Sequence, residues 1–473
     1  MPTPESVSAP PIPAELLATL QLPPNRLHRW MLLVFGLATL AGLIAYAHQL
    51  RAGLAATAMN NYFSWGIYII NFVFFIGISM AGSLISAVLR LTGAPWRHPI
   101  TRLAEMVTVV ALLIAGAMIV ADMGRPDRFY FLFLYGRWQS PILWDVLSLT
   151  TYLTGSVIFL YASCVPDLAL LRDQGSVFAP WRHRLYRVLS LGWRGTPTQR
   201  ERLRRATGTI AVVIIPVAVS IHTVTAWLFG MTLRPGWHST IIGPDFVAGA
   251  LYSGVAAVIT LMWIIRQTFQ LGQHLQADHF RRLSWLLLVL CATYAYFVVN
   301  ENMAPGYTGD GAEEKLLFSL FYGVYAVKFW TMIGIGLVLP GALLLLPATR
   351  NVNGIAAASV FVNIGMWLKR YIIVVPTQSS PLLPVDLTPL TLSPPTSPAL
   401  TVPSALASVA HAPGQTIAYV PTITEWAITA AAFGAFALIY YAFARFVPIV
   451  EVSEGEEPEP SAAHRAASEG GRT

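Results

Sequence analysis

The chain has 473 residues, of which 55% are hydrophobic and 11% charged, and its mean hydropathy is +0.59. Soluble domains carry roughly 25% charged residues, so a chain of this length and composition lacks the polar surface to face water and belongs mostly in lipid. The net charge of +7 is no nucleic-acid footprint, because 14 Trp and 23 Phe accompany few basic clusters.

Residues 1–25 are Pro-rich, carry Glu5 and Glu15, and offer no signal peptide. They are expected to form a disordered cytoplasmic N-terminus ahead of an uncleaved anchor whose first basic residues are Arg26 and Arg29. Apolar runs near the 20 residues that a membrane-crossing helix needs follow at about 30–48, 62–89, 100–121, 141–163, 206–230, 246–265, 283–303, 316–339, 354–375 and 425–447. Ten such runs predict an all-α integral membrane protein with ten transmembrane helices. Helices satisfy every backbone group within a run, whereas a β-barrel would alternate apolar and polar residues.

Of the 30 Lys and Arg, 20 lie before the first run, around the loops after even-numbered runs (counting Arg102), or in the tail, and 6 lie in loops after odd-numbered runs. The bias puts both termini in the cytoplasm. The connector at 164–205, with nine Arg, is then cytoplasmic; it reads as a topology anchor, or as a surface for a partner or lipid. Unusual outward loops occur at 124–128, 235–240, 302–311 and 376–424. The last is rich in Pro, Ser and Thr, lacks Lys and Arg, and cannot bury a core of its own; a strap on an external subunit is expected there.

A charge at mid-membrane costs roughly 2.5–3.5 kcal/mol, so the charges within runs need a reason. Glu105 lies near the inner end of the third run and Asp122 at its outer end. Asp145 lies about one turn inside the fourth run, His222 is in the fifth, Glu301 closes the seventh, and Lys328 falls near the middle of the eighth. Asp122, Glu301 and Glu425 are close enough to the surface to be solvated. Lys369 and Arg370, near the outer end of the ninth run, are expected to snorkel outward. Glu105 is expected to tie to Arg102 or to sit at headgroup level. Asp145, His222 and Lys328 lie where water is scarce and call for partners or a cavity.

Two cysteines, Cys164 and Cys291, fall short of the roughly four ligands of an iron–sulfur cluster. No Cys-x-x-Cys-His occurs for covalent haem c. His222 is the one histidine well inside a run, so a haem held between two membrane histidines is not expected. A buried imidazole beside a carboxylate suits another task, which is to take protons from a quinol hydroxyl. The two electrons of a quinol would then pass to a neighbouring protein.

Gly124-Arg125-Pro126, followed by Gln139-Ser140-Pro141-Ile142-Leu143-Trp144-Asp145, resembles the NrfD/PsrC-like family of quinone-interacting membrane subunits. So do Val165-Pro166-Asp167-Leu168-Ala169 and the fifth-run histidine followed by Pro235-Gly236-Trp237-His238-Ser239-Thr240. Asn363-Ile364-Gly365-Met366-Trp367-Leu368-Lys369-Arg370-Tyr371 and Pro421-Thr422-Ile423-Thr424-Glu425-Trp426 are similar to alternative complex III, a bacterial quinol:electron-acceptor oxidoreductase. The resemblance covers about residues 25–450. It implies two four-helix bundles, at 62–230 (runs 2–5) and 246–375 (runs 6–9). Peripheral helices at 26–61 and 425–447, a periplasmic strap at 376–424 and a cytoplasmic tail at 448–473 complete the chain. It also implies a bacterial cytoplasmic membrane, menaquinol or menaquinone as ligand, and no haem or iron–sulfur ligands in this chain. The implied partners are an extrinsic iron–sulfur subunit, haem-c subunits and a paralogous ten-helix subunit. Of the two related copies in such complexes, the ActC type oxidises menaquinol beside the iron–sulfur subunit, and a proton path has been inferred for both. The quinol-oxidising copy is expected to have a His before Gly-Arg-Pro, a longer insertion before Ser-Pro, and an Asp after the fifth-run His. Here those places hold Asp122, a short 126–140 loop and Leu228, which favours the ActF type.

Three readings stay open. In the first, quinol is oxidised at Asp145 with His222 or Asp122. In the second, Glu105, Asp122, Asp145, His222, Glu301 and Lys328 form a proton path; Glu105 and Asp122 alone are about 25 Å apart along one helix. The third is a proton-coupled solute transporter, disfavoured because no clearly broken pair of membrane helices is evident.

Overall fold

The computed structural model describes residue 20 and residues 26–60, 62–174, 178–379 and 418–451. Among these the chain is helical without strands, and ten helices are long and apolar enough to cross a membrane. They are α1 (Arg26–Ala52), α2 (Ile67–Leu91), α3 (His98–Asp122), α4 (Pro141–Asp173) and α5 (Pro197–Gly230). After them come α6 (Ile242–Thr268), α7 (Ala277–Thr308), α8 (Ala326–Leu345), α9 (Val352–Gln378) and α10 (Ile423–Phe446). Pro141 and Pro197 open their helices at the first turn, where a missing N–H costs nothing. Capping boxes at Thr196/Gln199 and Thr422/Glu425 fix the starts of α5 and α10. The terms inner and outer below follow the arginine bias of the loops.

Hydropathy alone does not rank these helices by depth. The apolar windows of α1 and α2 are similar, yet 6% of the first and 89% of the second is buried by protein. α2 packs against α3, α5, α6 and α9, while α1 packs mainly on α10 and turns Leu33, Leu37, Leu40 and Ile44 outward. α3 meets α4, α4 meets α5, α6 meets α7 and α9, and α8 meets α7 and α9. Small residues let backbones approach: a Cβ on Gly365 of α9 would collide with the backbone of Gly336 in α8.

The eighth run differs from its expected bounds of 316–339. Residues Gly311–Phe321 form a separate helix, and the membrane helix proper starts at Ala326. Within it, Gly334–Val338 widens into a π-turn just ahead of Pro340, whose ring cannot fit the regular i–4 pattern. Lys328 therefore lies at the outer end of α8, not near its middle.

The outer ends of α1, α2 and α10 are tied by one carboxylate. Glu425, expected in water, is fully buried. It accepts hydrogen bonds from the Ala58 N–H (2.9 Å), the Thr422 N–H (2.8 Å) and the Tyr419 hydroxyl (2.5 Å). Tyr419 in turn accepts from the Ile67 N–H at the start of α2 (2.9 Å). Of the expected strap, residues 380–417 lie outside the described residues, as do most of 1–25 and 452–473. Replacing Glu425 with Ala strands three donors in a buried setting, each worth about 1–3 kcal/mol when unsatisfied. The thermal midpoint of the purified protein should fall by several degrees, with Glu425→Gln intermediate; an unchanged midpoint in both would contradict this tie.

Candidate functional site

At the outer end of α3, the chain leaves Asp122 through a 3-10 turn (Pro126–Arg128) and a short helix (Phe131–Leu134) before re-entering as α4. These aromatic residues cannot fold back into an already filled core, so they roof a gap between α2, α3, α4 and α5. The result is a cavity of about 510 Å³ lined chiefly by apolar and aromatic groups, among them Phe129, Tyr135, Leu228 and Phe229. Two carboxylates line it, Asp122 and Asp145, and Arg128 lies on its wall. Asp145 is buried and accepts a 2.6 Å hydrogen bond from the Thr225 hydroxyl of α5. Asp122 Oδ1 is buried with no hydrogen-bond partner among the described residues.

His222 is not part of that lining. It lies one turn from Thr225 on α5, with Nδ1 2.7 Å from the Ala218 carbonyl and Nε2 2.9 Å from the Ile76 carbonyl of α2. A neutral ring donates through one nitrogen only, so only a doubly protonated ring satisfies both carbonyls. The structure thus brings Asp122 and Asp145 together and sets His222 one step behind them.

From His222 a file of buried hydroxyls runs inward. Ser79 donates to the same Ile76 carbonyl (2.6 Å), and Thr108 (2.8 Å) and Tyr152 (3.0 Å) donate to the Ser79 carbonyl. Ser83 contacts Thr108 at 3.3 Å, and Ser86, one turn on, donates to Glu105 at 2.5 Å. Glu105 is buried and stands 3.6 Å from the Arg90 guanidinium. The expected tie to Arg102 is not formed. Arg102 is fully buried and pairs with Asp167 of α4, reaching also the Ser163 and Pro448 carbonyls at 2.8 and 3.1 Å.

The segment after α10 closes this inner end. Glu451 is buried against Arg90 (3.0 Å), Thr101 (3.2 Å) and His98 (3.6 Å). Burial alone would raise its carboxyl. The nearby His98 imidazole and the guanidinium charges of Arg90, Arg102 and Arg97 outweigh that and hold it at about 2.

Glu301 and Lys328 lie elsewhere, on α7 and α8. Glu301 pairs with Lys369, and Lys328 lies over the rings of Tyr371 (5.1 Å) and Tyr325 (5.8 Å). Lys369 and Arg370 do not snorkel: both are buried, and Arg370 stacks 5.1 Å over Phe246. Their partners explain it, since an inward pair with Glu301 and a ring face replace the water that snorkelling would reach. Asp245, in the first turn of α6, is buried beside them and escaped the sequence reading, which began the sixth run at residue 246. The signal was present in Gly243-Pro244-Asp245-Phe246, an acid directly at a run's edge. Among the described residues no group of three or more His, Cys, Asp or Glu could hold a metal ion.

Ten lipid-length helices around buried polar files define a multi-pass membrane protein. A family model described as "Polysulphide reductase, NrfD" matches residues 55–381, and the chain belongs to that family. It is 30% identical over 326 residues to a putative membrane subunit of the dimethyl sulfoxide reductase of Halobacterium salinarum, covering 69% of this chain and 71% of the relative. A subunit of the selenate reductase of Mesobacillus selenatarsenatis is 24% identical, over 74% of this chain and 82% of its own. An Hdr-like menaquinol oxidoreductase integral membrane subunit of Archaeoglobus fulgidus is 20% identical, over 88% and 91%.

The Glu451 anchor carries a pH signature. Its folded carboxyl lies below the ordinary value near 4.5, so its stabilisation is full above that value and is lost as pH falls through about 2. The difference in thermal midpoint between the wild type and Glu451→Gln should be constant from pH 8 to 5 and shrink below about 4.5. A difference already gone at pH 6 would contradict the buried anion.

Proposed function

We propose that this chain is the membrane subunit of a quinol-linked oxidoreductase, and that quinol is deprotonated in the cavity between α2, α3, α4 and α5. The observation that carries this is an apolar, aromatic cavity of about 510 Å³ holding two acids, Asp122 with an unpartnered buried oxygen and Asp145 bonded to Thr225. That volume is within the range of small-molecule sites, which pair an apolar wall with a few polar groups. The aromatic wall suits a quinone ring, and the carboxylates suit its two hydroxyls. Oxidation of one quinol yields one quinone, two protons and two electrons. Asp145 and Asp122 accept the protons, and Thr225 orients Asp145. The electrons go to an extrinsic iron–sulfur subunit docked on the outer loops. The relatives support this, since two are subunits of reductases and one is a menaquinol oxidoreductase membrane subunit.

A second, finer reading is a subunit of alternative complex III of the ActF type, in a bacterial cytoplasmic membrane with both termini inside, in which the paralogous copy and not this cavity oxidises quinol. Haem-c subunits and a paralogous ten-helix chain would complete the assembly. The motifs at 363–371 and 421–426 support it, as does Leu228 on the cavity wall where the quinol-oxidising copy is expected to carry an Asp. The pairwise helix contacts support two four-helix bundles, α2–α5 and α6–α9. A proton-conducting role has its own support in the hydroxyl file from Glu105 to His222.

In the assembled complex, Asp145→Asn should lower quinol oxidation by about 100-fold or more, the usual contribution of a positioned base, with every partner protein still bound. Full activity would remove this cavity as the site, and loss of the partners would make Asp145 structural. Glu105→Gln should spare turnover and lower the protons moved per electron in vesicles; an unchanged ratio would take Glu105 out of the path.

A further inference from the structure

The arginine-rich connector holds a surface helix, Pro180–Leu189, that neither the cavity nor the hydroxyl file uses. One side of it is docked. Arg182 donates to the Arg445 carbonyl (2.6 Å), Tyr186 donates to the Phe446 carbonyl (2.9 Å), and Tyr161 of α4 donates to the Leu189 carbonyl (2.7 Å). The 24 residues of α10 span about 36 Å, slightly more than a hydrocarbon core of about 30 Å. A helix pinned to the last two residues of α10 therefore lies at headgroup level.

Its undocked side is divided. Trp181, Leu185 and Val188, spaced four and three apart, share one stripe; Trp181 and Val188 are 58% and 69% exposed, and one edge of the Trp181 ring borders the docked side, its centroid 5.6 Å from that of Phe446. Arg184 and Arg187 form the neighbouring stripe, both exposed, and Arg194 is exposed in the turn beyond. Leu191 adds a strained feature. Its φ of 48° is a left-handed conformation that β-carbon sterics disfavour, and its side chain is 71% exposed. The described chain leaves most of that side chain uncovered.

We propose that this helix and its turn bind an anionic phospholipid. Trp181, Val188 and Leu191 enter the acyl layer, and Arg184, Arg187 and Arg194 hold the phosphodiester. Apolar insertion beside arginines fits a lipid and not a free phosphate, and the depth set by α10 puts both halves of the site where such a lipid lies.

Native mass spectrometry of the full chain in detergent, titrated with phosphatidylglycerol or phosphatidylcholine of the same acyl chains, tests this. Phosphatidylglycerol should bind about tenfold tighter or better, the equivalent of roughly one to two arginine–headgroup contacts. The triple variant Arg184→Gln, Arg187→Gln, Arg194→Gln should lose the preference. Arg200→Gln with Arg202→Gln, in the first turns of α5, should keep it. In the wild type, high salt should weaken the preference, which gives a reading that needs no variant. Retained preference in the triple variant, equal loss in the α5 pair, or displacement by glycerol 3-phosphate would each overturn the proposal.

Discussion

Hydrocarbon offers a buried charge no water, and the polar architecture of this protein follows from that constraint. Each ion inside must be neutralised by another part of the chain, so charged residues become the points where distant segments are tied together. Arg102 joins α3 to α4 through Asp167 and to the post-α10 segment through the Pro448 carbonyl. Glu425 joins the start of α10 to the loop before α2. In solution such pairs contribute little; in lipid, removing one partner leaves an uncompensated charge, which makes them decisive for the packing.

The two halves of the molecule answer the constraint differently. In α6–α9 the buried cations and acids meet each other: Lys369 pairs with Glu301, and Arg370 lies against Phe246 with Asp245 nearby. In α2–α5 the outer acids face a cavity instead, because the 124–140 segment roofs the gap with aromatic rings and leaves the carboxylates lining it. An acid facing open space is available for chemistry, whereas an acid held by a lysine is committed to structure. That contrast, more than the presence of acids in membrane helices, separates the candidate site from the rest of the buried charge.

His222 shows how position changes a role. On α5 it is one turn from the Thr225 that holds Asp145, yet its ring is turned to two backbone carbonyls. It stands between the cavity and the hydroxyls of Ser79, Thr108 and Tyr152. Its ring therefore meets backbone and not the cavity wall, which leaves Asp122 and Asp145 as the acids that line the cavity.

The ten crossings, the all-helical class and the family were legible in the sequence, because a 20-residue apolar run has one stable form in lipid and the loop motifs are local strings. Asp145 and Asp122 were legible as acids that needed a reason. Their shared cavity was not, since it depends on how a loop of aromatic side chains packs over four helix ends. Snorkelling of Lys369 and Arg370 was the natural expectation from sequence position, and only the approach of Glu301 on α7 and Phe246 on α6 turned them inward. Asp245 was missed and Lys328 misplaced for the same reason: run boundaries come from composition, while helix boundaries come from caps, glycines and the π-turn before Pro340. The sequence by itself determined what must lie in the membrane, because hydropathy is a property of each segment alone. The tertiary structure decided which charges are neutralised and which are left facing space, because pairing is a property of segments from 65 to more than 360 residues apart.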